Sequence, residues 1–105
     1  VSITMTNSTI SGHALDGVYI LTDDIILNTE NSNIENNGTQ GCQIEGDVNW
    51  VSYADEVSNN GGTGIDITGT LTLEADSSEW MGNSGNGVYA TGSNSSVILY
   101  QTRTN

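Results

Sequence analysis

The sequence predicts an all-β solenoid, in which short parallel strands stack over about four to five turns of 23–24 residues each. Three observations support this fold class. A motif headed by glycine recurs at spacings of 24, 23 and 23 residues, and apolar residues on either side of it recur at the same period. Asn, Thr, Ser and Gly together fill 51 of the 105 positions, whereas the helix formers Ala, Lys, Arg and Leu are scarce, which disfavours a helical bundle.

The glycine motif predicts one strand in each repeat. A Gly is followed by two apolar residues that flank one variable residue, so the apolar side chains point to one face of a strand. Seven residues before each Gly lies a single apolar residue, which marks a second, very short strand. The motif copies are residues 17–20, 41–44, 64–67 and 87–90, and the single apolar residues are Ile10, Ile34, Val57 and Trp80.

A third strand precedes each single apolar residue, where two apolar residues alternate with polar ones. These pairs are Val1 with Ile3, Ile25 with Leu27, Val48 with Trp50, and Leu71 with Leu73. A fifth copy begins with Val97 and Leu99, and its spacing of 26 residues from Leu71 and Leu73 predicts a small extra loop at residues 93–96. No repeat can bury its own apolar side, so the stacking of repeats into columns has to build the core.

The turns between the strands are rich in Gly and Asn. Asn36 and Asn59 occupy one repeat position, and Asn37, Asn60 and Asn83 occupy the next. Stacked amides can hydrogen-bond along the axis of a solenoid, and Asn tolerates the left-handed backbone of sharp turns. We therefore expect structural Asn columns in this turn.

The pattern resembles the right-handed, single-stranded parallel β-helix of secreted polysaccharide-active enzymes, tailspikes and surface adhesins. The resemblance covers the whole chain and implies one β-helix segment, residues 1–105, with turns that start near residues 1, 25, 48, 71 and 97. It says little about activity, because one fold supports many functions.

No capping helix is recognisable at either end, and residues 97–105 are expected in the same repeat phase as residues 1–9. Two interpretations follow: the chain is a slice of a longer solenoid, or it stacks end to end with another copy. The expected partners are therefore further copies of this chain or neighbouring turns of a longer one.

The charge excludes several classes of function. The formal net charge is −12, Arg103 is the single Lys or Arg residue, and no Lys is present. Such a chain cannot neutralise a run of phosphates, and no apolar run approaches the ~18 residues of a membrane span. We expect neither nucleic-acid binding nor membrane insertion. The shortage of basic side chains, Arg103 and His13 alone, also argues against catalysis, so no catalytic residues and no organic cofactor are expected.

Calcium is the one cofactor for which the sequence offers candidates. Asp23, Asp24 and Asp47 fall in neighbouring turns of successive repeats and carry the oxygen ligands that Ca²⁺ prefers. The competing interpretation is that they are ordinary solvated turn residues.

Other side chains divide into core and surface candidates. Cys42, Trp50 and Trp80 fall in inward columns and are expected in the core, where Cys42 acts as a small hydrophobe. The outward residues Tyr19, Tyr89, Ile98 and Tyr100 are candidates for contact with a partner or a glycan. Three sequons make Asn7, Asn37 and Asn94 candidate glycosylation sites.

These features favour a non-enzymatic, structural or adhesive β-helix segment of an extracellular or cell-surface protein, with a head-to-tail filament subunit as one form. The alternatives are a fragment of a polysaccharide-degrading β-helix enzyme or tailspike, whose active residues lie elsewhere, and a glycan-binding module that uses the outward tyrosines.

Overall fold

The computed structural model describes residues 1–104, and every regular element in that range is a β-strand. Strand pairing is parallel throughout, so the predicted all-β solenoid is confirmed, with about four turns. The strands are β1 (Ser2–Thr6), β2 (Thr9–Ser11), β3 (Val18–Glu30), β4 (Asn33–Glu35), β5 (Cys42–Tyr53), β6 (Glu56–Ser58), β7 (Ile65–Thr68), β8 (Leu71–Asp76), β9 (Glu79–Trp80), β10 (Val88–Ala90), β11 (Ser96–Tyr100) and β12 (Arg103–Thr104).

Two parallel sheets wrap around the core. The larger sheet has the order β1-β3-β5-β7-β10, with β8 paired to β5 and β11 paired to β8. The smaller sheet has the order β12-β9-β6-β4-β2. In β3 and β5 one long strand covers the glycine-headed segment and the segment after it, whereas in later turns this stretch divides into β7 with β8 and β10 with β11. The pairing of β3 with β5 shifts register between Leu21 and Asp24, which accommodates one extra residue in the first turn.

The core consists of the inward columns that the sequence predicts, buried in the middle turns, whereas the column members in the first and last turns are exposed or half-buried. Cys42 pairs with Val18 on one side and with Ile65 on the other, and Trp50 lies between Leu27 and Leu73. Burial of these columns removes apolar surface from water, which is the main favourable term in folding. The buried apolar residues are Ile25, Leu27, Ile34, Cys42, Ile44, Val48, Trp50, Val57, Ile65, Ile67, Leu71, Leu73, Ala75 and Trp80.

The predicted register of the fifth turn is wrong by two residues. Val97 pairs with Leu73 and Leu99 pairs with Ala75, so neither lies beside the residue that the 26-residue spacing suggests. The physical reason is a tight turn: the N–H of Ser95 donates to the carbonyl of Gly92 at 3.2 Å, and Ser95 Oγ accepts the N–H of Leu71 at 3.0 Å. The spacing between β8 and β11 is therefore one residue longer than the 23-residue period, and not three residues longer. Strand β12 keeps this spacing, since Thr104 pairs with Trp80.

Two corners of every turn use left-handed backbone. The first corner directly follows the carboxyl ends of strands β1, β3, β5, β8 and β11 in the larger sheet, and the second corner follows the strands of the smaller sheet. Asn is common at both corners because its short polar side chain tolerates this conformation, as the sequence predicts for Asn36 and Asn59. The first corner contains Asn7, Asn31, Ala54, Ser77 and Gln101, with φ from 47° to 55°, and the second contains Gly12, Asn36, Asn59 and Gly82, with φ from 55° to 74°.

The predicted column of Asn amides is present and buried. The N–H of Asn37 donates to Asn60 Oδ1 at 3.0 Å, and the N–H of Asn60 donates to Asn83 Oδ1 at 3.1 Å. Each Nδ2 also donates to the next Oδ1, at 3.0 Å and 2.9 Å respectively. We call these three residues the Asn ladder. The ladder explains the glycine of the repeat motif, because a Cβ on Gly41 would lie 2.7 Å from Asn60 Nδ2 and 2.7 Å from the carbonyl oxygen of Gly64.

A second buried polar ladder follows the first corner. The N–H of Ser8 donates to Ser32 Oγ (3.2 Å), that of Ser32 to Asp55 Oδ1 (2.9 Å), that of Asp55 to Ser78 Oγ (3.0 Å), and that of Ser78 to Thr102 Oγ1 (3.2 Å). Each corner therefore supplies a side-chain acceptor for the backbone of its neighbour, which satisfies a donor that would otherwise be buried without a partner.

Candidate interaction surfaces

Tyr19 and Tyr89 lie on one outward column of the larger sheet. Tyr19 pairs with Gln43, Gln43 with Asp66, and Asp66 with Tyr89. The two rings, 56% and 49% exposed, are three turns apart, or about 14 Å at the spacing of neighbouring strands. The prediction that both tyrosines point outward is confirmed, and two polar side chains fill the interval between them. We call these four residues the Tyr19 column.

Acidic neighbours set the chemistry of the Tyr19 column. The hydroxyl of Tyr19 donates a hydrogen bond to Glu45 Oε2, and this bond raises the pKa of Tyr19 because the neutral phenol is the donor. Partial burial, followed by the nearby charge of Asp16, raises the pKa of Asp66. Gln40 Nε2 donates to Asp66 Oδ2 at 3.5 Å. The column offers two aromatic faces with hydrogen-bonding groups between them, a composition that suits a polar ligand with apolar patches, such as a glycan.

Ile98 and Tyr100 belong to a different part of the larger sheet. Both are exposed as predicted, but the corrected register places Ile98 beside Glu74 and Tyr100 beside Asp76. One turn further along the same columns lie Val51 and Tyr53, which pair with Glu74 and Asp76. Tyr53 is an exposed aromatic residue that was not among the surface candidates predicted from the sequence. The signal that could have found it is the repeat register, once β11 is aligned with β8 at a spacing of 24 residues.

Calcium binding by Asp23, Asp24 and Asp47 stays a prediction, and the structure shows how these side chains are placed. Asp24 pairs with Asp47, and Asp23 and Asp47 line the same open depression with Glu45. Asp47 Oδ1 accepts the N–H of Thr70 at 2.9 Å, which is the ordinary role of a turn carboxylate. Within residues 1–104 no group of three or more His, Cys, Asp or Glu side chains is arranged to hold a metal ion.

The three sequons differ in accessibility. Asn7 and Asn94 are exposed, and their glycosylation stays a prediction. Asn37 is 3% exposed, and its Nδ2, the atom that would carry a glycan, donates to Asn60 Oδ1 in the Asn ladder. A glycan on Asn37 is therefore incompatible with this fold, because the attached sugar would displace a buried amide and break the ladder.

The residues expected in the core are buried. Burial raises the pKa of the Cys42 thiol to about 12, so the thiol is neutral and unreactive at physiological pH. Trp50 Nε1 donates to Thr29 Oγ1 at 2.8 Å, and Thr29 Oγ1 in turn donates to Asp55 Oδ2 at 2.5 Å. The buried carboxylate of Asp55, which was not predicted as a buried group, therefore links the Trp50 indole to the second polar ladder.

Comparison with known proteins supports the fold. The family model described as a right handed beta helix region matches residues 1–104. No curated protein and no solved structure matches the chain. In residues 1–104 no helix is long and apolar enough to cross a membrane.

Proposed function

This chain belongs to the right-handed β-helix family, and from that membership we propose that it is a non-enzymatic structural or adhesive segment of an extracellular surface protein. The observation that carries the proposal is the continuity of the Asn ladder, in which each buried amide bonds both the backbone and the side chain of its neighbour. Such a stack holds its outward columns in fixed register, which is what a surface that contacts partners requires.

The proposed structural partner is a further β-helix turn, supplied either by a longer chain or by a second copy stacked end to end. Strand β1 at one side of the stack and strand β11 at the other present exposed apolar residues, among them Ile3 and Leu99. Pairing with another parallel strand would bury these side chains and satisfy the backbone groups of the edge.

Electron microscopy of the purified chain tests the end-to-end version. Stacked copies should form fibres with an axial rise near four turns, about 19 Å at the usual strand spacing. The charge makes high salt the favourable condition, because screening weakens repulsion between copies. A monodisperse monomer at high salt and high protein concentration would contradict end-to-end assembly, and the adhesive proposal would then depend on the surface columns alone.

Glycan binding is the second candidate function, and the Tyr19 column is the observation that favours it. Tyr19→Ala and Tyr89→Ala should each weaken binding on a glycan array without a loss of β-sheet signal in circular dichroism. Tyr53→Ala is the matched control, since it removes an equally exposed ring from a different column. Equal loss in all three variants, or no binding to any glycan, would contradict this function. Cleavage of an acidic polysaccharide by the chain alone would instead support the enzyme alternative.

A further inference from the structure

A second outward column alternates carboxylates with aromatic rings. Glu30 pairs with Tyr53, Tyr53 with Asp76, and Asp76 with Tyr100, so the four side chains occupy one column in four successive turns. Tyr53 is 50% exposed and Tyr100 is 53% exposed. The neighbouring outward column adds Val51, Glu74 and Ile98, which are also exposed. We call these seven residues the Tyr53 face.

Among residues 1–104 no Lys or Arg side chain pairs with a carboxylate of the Tyr53 face. Arg103 is the single Lys or Arg residue, it is 74% exposed, and its guanidinium lies 2.8 Å from Glu79 Oε2 on the smaller sheet. Across residues 1–104 this is the one ion pair that the structure contains. Glu30, Glu74 and Asp76 therefore present their charge outward on a chain that already carries a formal net charge of −12, and a long-range attraction for cations follows.

A column that alternates carboxylates with aromatic rings can bind a cation through two kinds of contact. A carboxylate attracts a guanidinium or ammonium group, and an aromatic face within about 6 Å adds a cation–π contact. Asp76 lies one turn, about 4.8 Å, from each of Tyr53 and Tyr100. A cation bound to Asp76 is therefore within reach of both rings. Ser77 Oγ donates to Asp76 Oδ1 at 2.9 Å, which restricts the carboxylate and favours one binding geometry.

The spacing along the column indicates the form of the partner. Glu30 and Asp76 are two turns apart, or about 10 Å. In a polyproline II segment, residues three apart lie on one side and about 9 Å apart. A shallow depression of about 220 Å³ beside the column, lined in part by Asn28, Val51 and Tyr53, has room for the aliphatic part of a long cationic side chain.

We propose that the Tyr53 face binds an extended protein segment with Arg or Lys at every third residue. The charged groups would contact Glu30 and Asp76, the rings of Tyr53 and Tyr100 would cover them, and the aliphatic stems would pack on Val51 and Ile98. This inference goes beyond the proposed function, because it concerns a surface separate from the Tyr19 column and does not require end-to-end assembly.

The test is titration of the chain with the peptide (Arg-Pro-Pro)3, followed by NMR chemical shifts or calorimetry at low salt. The peptide (Gln-Pro-Pro)3 is the uncharged control. Tyr53→Ala and Asp76→Asn are the variants on the face. Asp23→Asn and Tyr89→Ala are the matched controls, since each removes the same chemical group from an exposed position elsewhere.

Tyr53→Ala should weaken binding of the arginine peptide about two- to five-fold, the usual range for an exposed cation–π contact. Asp76→Asn should weaken it at least as much, whereas Asp23→Asn and Tyr89→Ala should leave it within error. If the two Asp variants lose affinity equally and Tyr53→Ala loses none, the peptide binds by general attraction to an acidic chain and the proposal is wrong. Absence of binding at low salt would also overturn it, without any bearing on the fibre and glycan experiments.

Discussion

The side chain of Asn60 makes four buried hydrogen bonds, none of which an apolar side chain could make. Its Oδ1 accepts from the N–H and the Nδ2 of Asn37, and its Nδ2 donates to Asn83 Oδ1 and to the carbonyl of Ile34 at 3.2 Å. A buried polar group that loses its partner costs about 1–3 kcal/mol. The position therefore requires both the donor and the acceptor of a primary amide.

Asn60→Ala should lower the free energy of unfolding by roughly 3 kcal/mol or more, since several buried groups lose their partners together. Asn60→Asp should also destabilise the chain, because a carboxylate cannot donate to the carbonyl of Ile34 or to Asn83 Oδ1. Urea denaturation measures both, and Asn59→Ala, at the exposed neighbouring position, separates the loss of the amide from the cost of the corner. A change below 1 kcal/mol in Asn60→Ala would contradict the role of the ladder.

The phenol of Tyr19 should titrate at higher pH than an ordinary tyrosine, because its bond to Glu45 raises its pKa. The folded chain holds this proton more tightly than the unfolded chain does. The bond therefore contributes stability below a pH of about 10, and that contribution is lost as the pH rises through the raised pKa. Ultraviolet difference titration of the four tyrosines, compared with Tyr19→Phe, identifies the late component. Glu45→Gln should bring its pKa down, and an unchanged titration in that variant would show that the bond is not responsible.

At the scale of the elements, the first corner, which follows β1, β3, β5, β8 and β11, has left-handed backbone, and Ala54 is poorly suited to this conformation. Its φ of 54° matches those of Asn7 and Asn31 at the same corner in other turns. An L-residue with a Cβ pays roughly 1–2 kcal/mol in this conformation, whereas Asn is better tolerated. Ala54 is therefore a position at this corner where the stability can be improved.

Ala54→Asn should raise the free energy of unfolding by roughly 0.5–1 kcal/mol, since it replaces an unfavourable residue by one that accepts φ above zero. Asn31→Ala is the reciprocal control and should lower the stability by a similar amount. Thermal unfolding followed by circular dichroism measures both. Equal stability of Ala54→Asn and the unchanged chain would indicate that side-chain contacts, and not backbone conformation, determine the residue at this corner.

The strand content could be predicted from the sequence wherever the period was regular. The column through Ile25, Val48 and Leu71 follows from apolar alternation alone, because Ile25 pairs with Val48 and Val48 pairs with Leu71. The register of β11 could not be predicted in this way. Val97 and Leu99 fit the apolar pattern equally well beside Leu71 and Leu73 or beside Leu73 and Ala75, since a shift of two residues keeps the same face inward. Only the geometry of the turn at Gly92–Ser95 decides between them.

The candidate surfaces were less predictable than the strands. Tyr19 and Tyr89 could be assigned outward from alternation, but the Tyr53 face depends on the register of β11, and an error of two residues separates Tyr100 from Asp76. Asp55 was missed for another reason. Its column otherwise contains Ser and Thr, and a charged residue in a buried column is recognisable only when its donors, Ser32 N–H and the hydroxyls of Thr29 and Ser52, are known.

At the scale of the whole molecule, stability depends on neighbouring turns, because each turn obtains its hydrogen bonds and its apolar contacts from the turns beside it. The larger sheet, the smaller sheet and the Asn ladder all run across the stack. A substitution in one turn therefore weakens two interfaces. This coupling also explains why a chain with 34% hydrophobic residues builds a continuous core: each inward residue is shared between successive turns.

The charge of the molecule predicts a dependence of stability on salt. The chain has thirteen Asp and Glu residues and one Arg, and its dimensions are 30 × 27 × 23 Å. Repulsion between carboxylates held this close together destabilises the folded chain. The screening length falls from about 10 Å at 0.1 M salt to about 3 Å at 1 M. Sodium chloride should therefore raise the melting temperature, and each kcal/mol of relieved repulsion corresponds to about 4–8 °C for a small domain.

Two comparisons separate this screening from specific ion binding. Calcium chloride at the same ionic strength as sodium chloride should give nearly the same melting temperature, because residues 1–104 contain no arranged group of metal ligands. The double variant Asp23→Asn, Asp24→Asn removes two adjacent exposed charges and should be more stable at low salt, with a smaller response to added salt. A melting temperature that does not change with sodium chloride would show that carboxylate repulsion has no part in the stability of the fold. A rise specific to calcium that disappears in the double variant would show instead that these aspartates bind the ion.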